Sequence, residues 1–113
     1  MKEYQLQKAI CKYLDLQNIL FCGSMGGQYQ VFRSQRIKAK MTGYKKGFPD
    51  IFIYEPVGKY HGLAIELKVG YNKPTKEQIE WCNKLNQKGY LAKICNGLDQ
   101  TIEVIKKYLN NES

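Results

Sequence analysis

Leu6, Ala9, Ile10, Tyr13 and Leu14 recur at intervals of three and four over residues 3–16. That period lays apolar side chains along one face of an α-helix. The pattern then shortens. A brief apolar run at 19–22, closed by the glycine-bearing loop 23–27, predicts a short strand. Residues 29–42 fit a helix carrying Val31, Phe32 and Met41, with Gly43 placed to terminate it. Pro49 introduces an apolar run at 50–54. A second run at 62–69 follows a turn over 55–60 that contains Pro56 and Gly58, which reads as a β-hairpin. Thr75 and Gln78 then form a capping box, the start signal of a helix whose inner stripe is Ile79, Cys82 and Leu85 and which Gly89 ends. Residues 90–95 alternate as a strand, and Asp99 is placed to cap a last helix carrying Ile102, Ile105, Tyr108 and Leu109. The predicted order is α-β-α-β-β-α-β-α, an α/β fold with a mixed central sheet of about four strands flanked by helices.

Length and composition narrow the function more than the fold. A chain of 113 residues has room for one packed core, so the expectation is a single domain over 1–113. Its net charge of +8 is large for that size and favours polyanions: nucleic acid first, an acidic membrane surface second. No apolar run approaches the ~20 residues needed to cross a bilayer, and no signal-peptide pattern opens the chain. The expectation is a soluble cytoplasmic protein that does not engage a membrane. The four cysteines (Cys11, Cys22, Cys82 and Cys95) form no C-x-x-C pair, and the chain has one histidine. A structural zinc site is therefore disfavoured, and the cysteines read as small buried hydrophobes in a reducing compartment. His61 reads as a surface residue of the hairpin turn, and a chemistry that needs several histidines is disfavoured.

Candidate chemistry lies on the hairpin. Asp50 opens its first apolar run, and Glu66 and Lys68 close its second. Residues i and i+2 of a strand share a face, so Glu66 and Lys68 point together, with Ala64, while Leu63, Ile65, Leu67 and Val69 point the other way. An acid two places before a lysine is expected roughly once by chance in a chain of this composition, so the triplet alone means little. Placement raises its value. A central strand flanked by helices buries both faces, and buried charges need a partner or a purpose. The bland alternative is a strand-capping Asp50 beside an exposed Glu66–Lys68 pair. The functional alternative is a divalent cation, which relieves the repulsion of two neighbouring carboxylates and can support phosphodiester hydrolysis.

The run Gly47-Phe48-Pro49-Asp50, then Gly62-Leu63-Ala64-Ile65-Glu66-Leu67-Lys68, then Pro74-Thr75 and Gln78-Ile79-Glu80-Trp81 resembles the PD-(D/E)xK nuclease superfamily. More closely, it is similar to the virus-type replication-repair nuclease (VRR-NUC) domain. The likeness extends from the first helix through Leu85 and Gly89-Tyr90 to Tyr108-Leu109. It implies a restriction-endonuclease-like fold and a metal-dependent endodeoxyribonuclease. Asp50 and Glu66 would bind Mg²⁺ or Mn²⁺ with the Leu67 carbonyl as a third protein ligand, and Lys68 would position or help deprotonate the attacking water. Family members carry a further acid on the first helix. Here it is Glu3, either frayed into solvent or aimed at the metal. Gln78 would lie near the catalytic residues as well as in its capping box. Trp81 reads as core rather than as a platform for a base. The resemblance further implies structure-selective cleavage of branched DNA, with stand-alone phage and bacterial members acting as homodimers on four-way (Holliday) junctions and larger repair proteins acting on flaps.

From Leu16 to Pro49 the chain has no acid, yet it carries Arg33, Arg36, Lys38, Lys40, Lys45 and Lys46 and leads straight into Asp50. These are candidate contacts to the DNA backbone, giving affinity without sequence reading, with Gln28, Tyr29 and Gln30 as possible polar additions. Two other readings stay open: a non-catalytic basic module that binds nucleic acid, and a flap or restriction-type nuclease that needs a partner subunit.

Overall fold

The computed structural model describes residues 1–25 and 32–113. Its elements follow in the predicted order: α1 (Glu3–Leu16), β1 (Phe21–Gly23), α2 (Arg33–Met41), β2 (Ile51–Ile53), β3 (Leu63–Lys68), α3 (Lys76–Gln87), β4 (Leu91–Asn96) and α4 (Leu98–Leu109). The four strands form one sheet in the order β1-β2-β3-β4. β1 and β3 each run antiparallel to β2, while β4 runs parallel to β3 and α3 makes the crossover between them.

Both faces of β3 are covered, as a central strand requires. Leu63, Ile65 and Leu67 pack with Leu6, Ile10 and Leu14 of α1 and with Ile105 and Tyr108 of α4. On the other face, Ala64 joins Phe52, Ala92 and Cys82 of α3, with Leu85 and Tyr90 against them. Glu66 and Lys68 follow Ala64 on that second face, so the alternation read from the sequence is the one the sheet uses. Tyr108 ties α4 to the hairpin, its hydroxyl donating to the Glu55 carbonyl at 2.6 Å.

Several boundaries and faces differ from the sequence reading. The first strand begins at Phe21 because the chain spends 17–20 leaving α1: Asn18 takes a left-handed φ of 55° and the Ile19 N–H bonds back to the Leu14 carbonyl at 3.1 Å. The N-cap of α4 is Gly97 rather than Asp99. The turn out of β4 needs a φ of +83° there, which favours glycine, and Asp99 falls inside the first helical turn. α2 starts at Arg33, and the predicted positions 29–31 lie outside the described residues. Phe32 and Met41 are exposed rather than packed. Ile79 is exposed too, because α3 turns Gln78 and Trp81 to a cleft and Cys82 and Leu85 to the sheet. Of the cysteines, Cys82 and Cys95 are buried, Cys11 is half-buried and Cys22 is exposed. Phe21 and Gly23 face α1, so Cys22 points to the face that α3 leaves open at this edge. Among the described residues no helix is long and apolar enough to cross a membrane.

Candidate active site

The pairing of Ile51 with Ile65 puts Asp50 opposite Glu66, one step beyond the end of β2. The Asp50 backbone is fastened from two sides. Its carbonyl accepts the Ser24 N–H at 2.7 Å and the Gln7 amide Nε2 at 3.2 Å, and Gln7 also donates to the Ser24 carbonyl at 3.0 Å. The Asp50 side chain reaches across to β3, where Oδ2 accepts the Leu67 N–H at 2.7 Å. α1 and the residue after β1 therefore fix the Asp50 backbone, and β3 fixes its carboxylate.

Glu66 is only 2% exposed, and among the described residues its Oε1 is buried without a hydrogen-bond partner. The Lys68 ammonium stands 3.5 Å from Oε2. Burial pushes the Glu66 carboxyl up to about 9, helped by a hydrogen bond to Asp50 and by the Asp50 charge, while Lys68 pulls the other way. A shared proton relieves two facing acceptors, and a cation can take the same place.

Lys68 is buried and also lies 3.8 Å from Glu3 Oε1. Glu3 is not frayed: its Oε2 accepts from the Asn72 amide at 3.0 Å. Glu3, Asp50, Glu66 and Gln78 line one cleft of about 310 Å³. Lys68 stands behind Glu66 rather than in the cleft wall. Gln78 completes the capping box, its Oε1 accepting the Thr75 N–H at 2.8 Å while its own N–H donates to the Thr75 hydroxyl at 3.2 Å. It thus has both places read for it: cap and cleft wall. Among the described residues no group of three or more histidines, cysteines or acids is gathered closely enough to hold a metal ion. The all-oxygen set of Asp50, Glu66 and the Leu67 carbonyl suits a hard divalent cation, and the orphaned Glu66 oxygen fits such an ion.

Of the basic residues, Lys46 reaches the cleft wall. It also lines, with Arg36, Lys40 and Lys45, an adjoining groove between α2 and α3. Arg33 and Lys38 are exposed on α2 away from that groove. Trp81 belongs to neither core cluster and forms part of the groove wall, which corrects its reading as core. Sequence reasoning missed Gln7 and Asn72. Gln7 carried a signal, being one turn from Glu3 on the same helical face. Asn72, in a loop, carried none.

A mixed sheet whose central hairpin brings an aspartate, a glutamate and a lysine together between flanking helices defines an α/β protein of nuclease type. Residues 1–99 match the VRR-NUC domain family. A solved structure described as a VRR-NUC domain protein is similar over 97% of this chain and 89% of its own, with a TM-score of 0.83 and 29% identity. No curated protein matches. The chain belongs to the VRR-NUC family, and that membership implies a nuclease-type function with DNA as substrate.

Proposed function

We propose that this protein is a divalent-metal-dependent endonuclease that selects DNA by shape, with the four-way junction as its preferred substrate and a homodimer as its working form. The observation that carries the reading is the Glu66 Oε1 oxygen, buried without a donor among the described residues, on a side chain set beside Asp50. Mg²⁺ or Mn²⁺ bound there would lower the pKa of a bound water and offset charge on the pentacovalent phosphorus. Asp50 and Glu66 would hold the ion through their carboxylates, joined by the Leu67 carbonyl. Glu66 would hold such an ion in its ionised form. Lys68, fixed between Glu66 and Glu3, would orient the attacking water and offset negative charge at the phosphate. The basic side chains of α2 and of the loop that follows it hold the phosphates on either side of the cut. Such contacts carry no base sequence, which favours recognition of DNA shape. A two-fold dimer would meet the two continuous strands of a four-way junction with one catalytic centre each.

The test is incubation with labelled linear, flap, splayed and four-way DNAs in Mg²⁺, Mn²⁺ or EDTA. Nicking is expected with either ion, absent in EDTA and greatest on the junction. Asp50→Ala, Glu66→Ala and Lys68→Ala are each expected to remove at least about a thousandfold of the rate while junction binding persists. Full activity in Lys68→Ala would remove the role given to that lysine. A protein that binds the junction in Mn²⁺ without cutting any DNA would be a non-catalytic binding module instead.

A further inference from the structure

We propose that the groove between α2 and α3 is a binding site for an unpaired nucleotide of the substrate strand next to the scissile phosphate. The groove has a volume of about 850 Å³, against about 310 Å³ for the catalytic cleft, and falls in the range of sites that enclose small organic ligands. It adjoins the cleft, with Tyr44 and Lys46 lining both. A strand whose phosphate lies at Asp50 and Glu66 would pass these two residues to reach it.

The walls specify the ligand. On α3, Glu77, Glu80, Trp81 and Lys84 follow the three-and-four spacing of a single face, which looks into the groove. Trp81 is held rigidly: its indole N–H donates to the Lys46 carbonyl at 3.1 Å, and Phe48 meets its ring edge-on at 5.2 Å between centroids. A fixed indole beside Tyr44 is a stacking surface. Five cations line the groove against two acids, and Glu77 lies 4.0 Å from Lys46 while Glu80 lies 4.0 Å from Lys76. Among the described residues no carboxylate pairs with Lys40, Lys45 or Lys84. Aromatic rings interleaved with cations fit single-stranded nucleic acid. In a duplex the base faces are already stacked on one another, so a ring set in a groove wall has nothing to receive until a base is unpaired. The inference rests on the reading of this protein as a DNA nuclease and adds one requirement to it: a nucleotide beside the cut leaves its base pair, as a strand at the crossover of a junction can.

The chain has one tryptophan, so indole emission reports this groove alone. Oligothymidylate and a blunt duplex are titrated separately in EDTA, where binding is read without cleavage. Saturable quenching by oligothymidylate with little quenching by the duplex is expected. Lys84→Glu should weaken the oligothymidylate about tenfold and leave duplex affinity within about twofold, and Lys84→Ala should flatten the salt dependence of log K for the single strand by about 0.7. Trp81→Leu, followed by anisotropy of a labelled oligonucleotide, should also lose about tenfold. If that variant does not fold, Lys84→Glu carries the test. Absence of quenching, equal quenching by the duplex, or equal losses for both ligands in Lys84→Glu would overturn the proposal. The nuclease reading is scored apart from it: cutting in Mg²⁺ without quenching removes the groove alone, whereas quenching without cutting of any DNA removes the enzyme assignment alone.

Discussion

The Glu66 side chain makes two predictions with defined signs. Its folded-state pKa is raised to about 9, so the native protein keeps a proton that the unfolded chain has already released. Stability from this group is complete below the ordinary glutamate range and is lost as pH rises through about 9. In EDTA the melting temperature should therefore fall between pH 5 and 9, and the fall should be much smaller in Glu66→Gln. A divalent ion takes the place of the proton, so the rise in melting temperature on adding Mg²⁺ should grow over the same interval. A melting temperature in EDTA that climbs with pH, beyond the trend of Glu66→Gln, would show that the carboxylate is charged in the native state. A third residue-scale prediction concerns Asn72, whose amide holds Glu3 against Lys68 at the cleft. Asn72→Ala should lower the nicking rate about tenfold, in line with the loss of a supporting hydrogen bond, with little change in junction affinity. A rate within twofold of the parent protein would leave Glu3 without a part in orienting Lys68.

The loop between α2 and β2 is pinned to α3 by a close approach of backbone to backbone. Gly47 has a φ of +89°, and a Cβ at that position would lie 2.6 Å from the Glu77 carbonyl carbon. Neither the angle nor the space admits a side chain. Gly47→Ala should lower stability by about 2 kcal/mol or more and should also slow nicking, because the same loop carries Lys46 and runs into Asp50. Chemical denaturation and the nicking assay read the two effects separately, and an unaltered unfolding midpoint would refute the first. Elements of this kind explain how far the sequence could be read. The hairpin was legible because two apolar runs flank a turn with Pro56 and Gly58, and the i, i+2 rule alone puts Glu66 and Lys68 on one face. The capping box of Thr75 and Gln78 was legible because both its partners lie within one turn. The contact of Asn72 with Glu3 closes 69 residues of chain and has no local signature. Trp81 was misread because an indole at helical spacing looks like core, and only the packing of the α2–β2 loop shows that its neighbour is a groove.

For the molecule as a whole, the +8 charge is not spread evenly, since four of its cations line the groove beside the cleft from α2 and the following loop. Junction affinity should fall steeply with salt, and Lys45→Ala with Lys46→Ala should reduce the slope of log K against log[salt] by about 2. A slope identical to that of the parent protein would place the phosphates elsewhere. α2 makes a complementary point, because none of its nine residues is buried. An element that shelters no apolar surface contributes almost nothing to the unfolding equilibrium. Its sequence is thus free to drift without cost to folding, and a run of basic residues retained there would be kept by something outside the chain. In a comparison of relatives, α2 would record the history of what this protein touches, while β3 would record the history of how it folds.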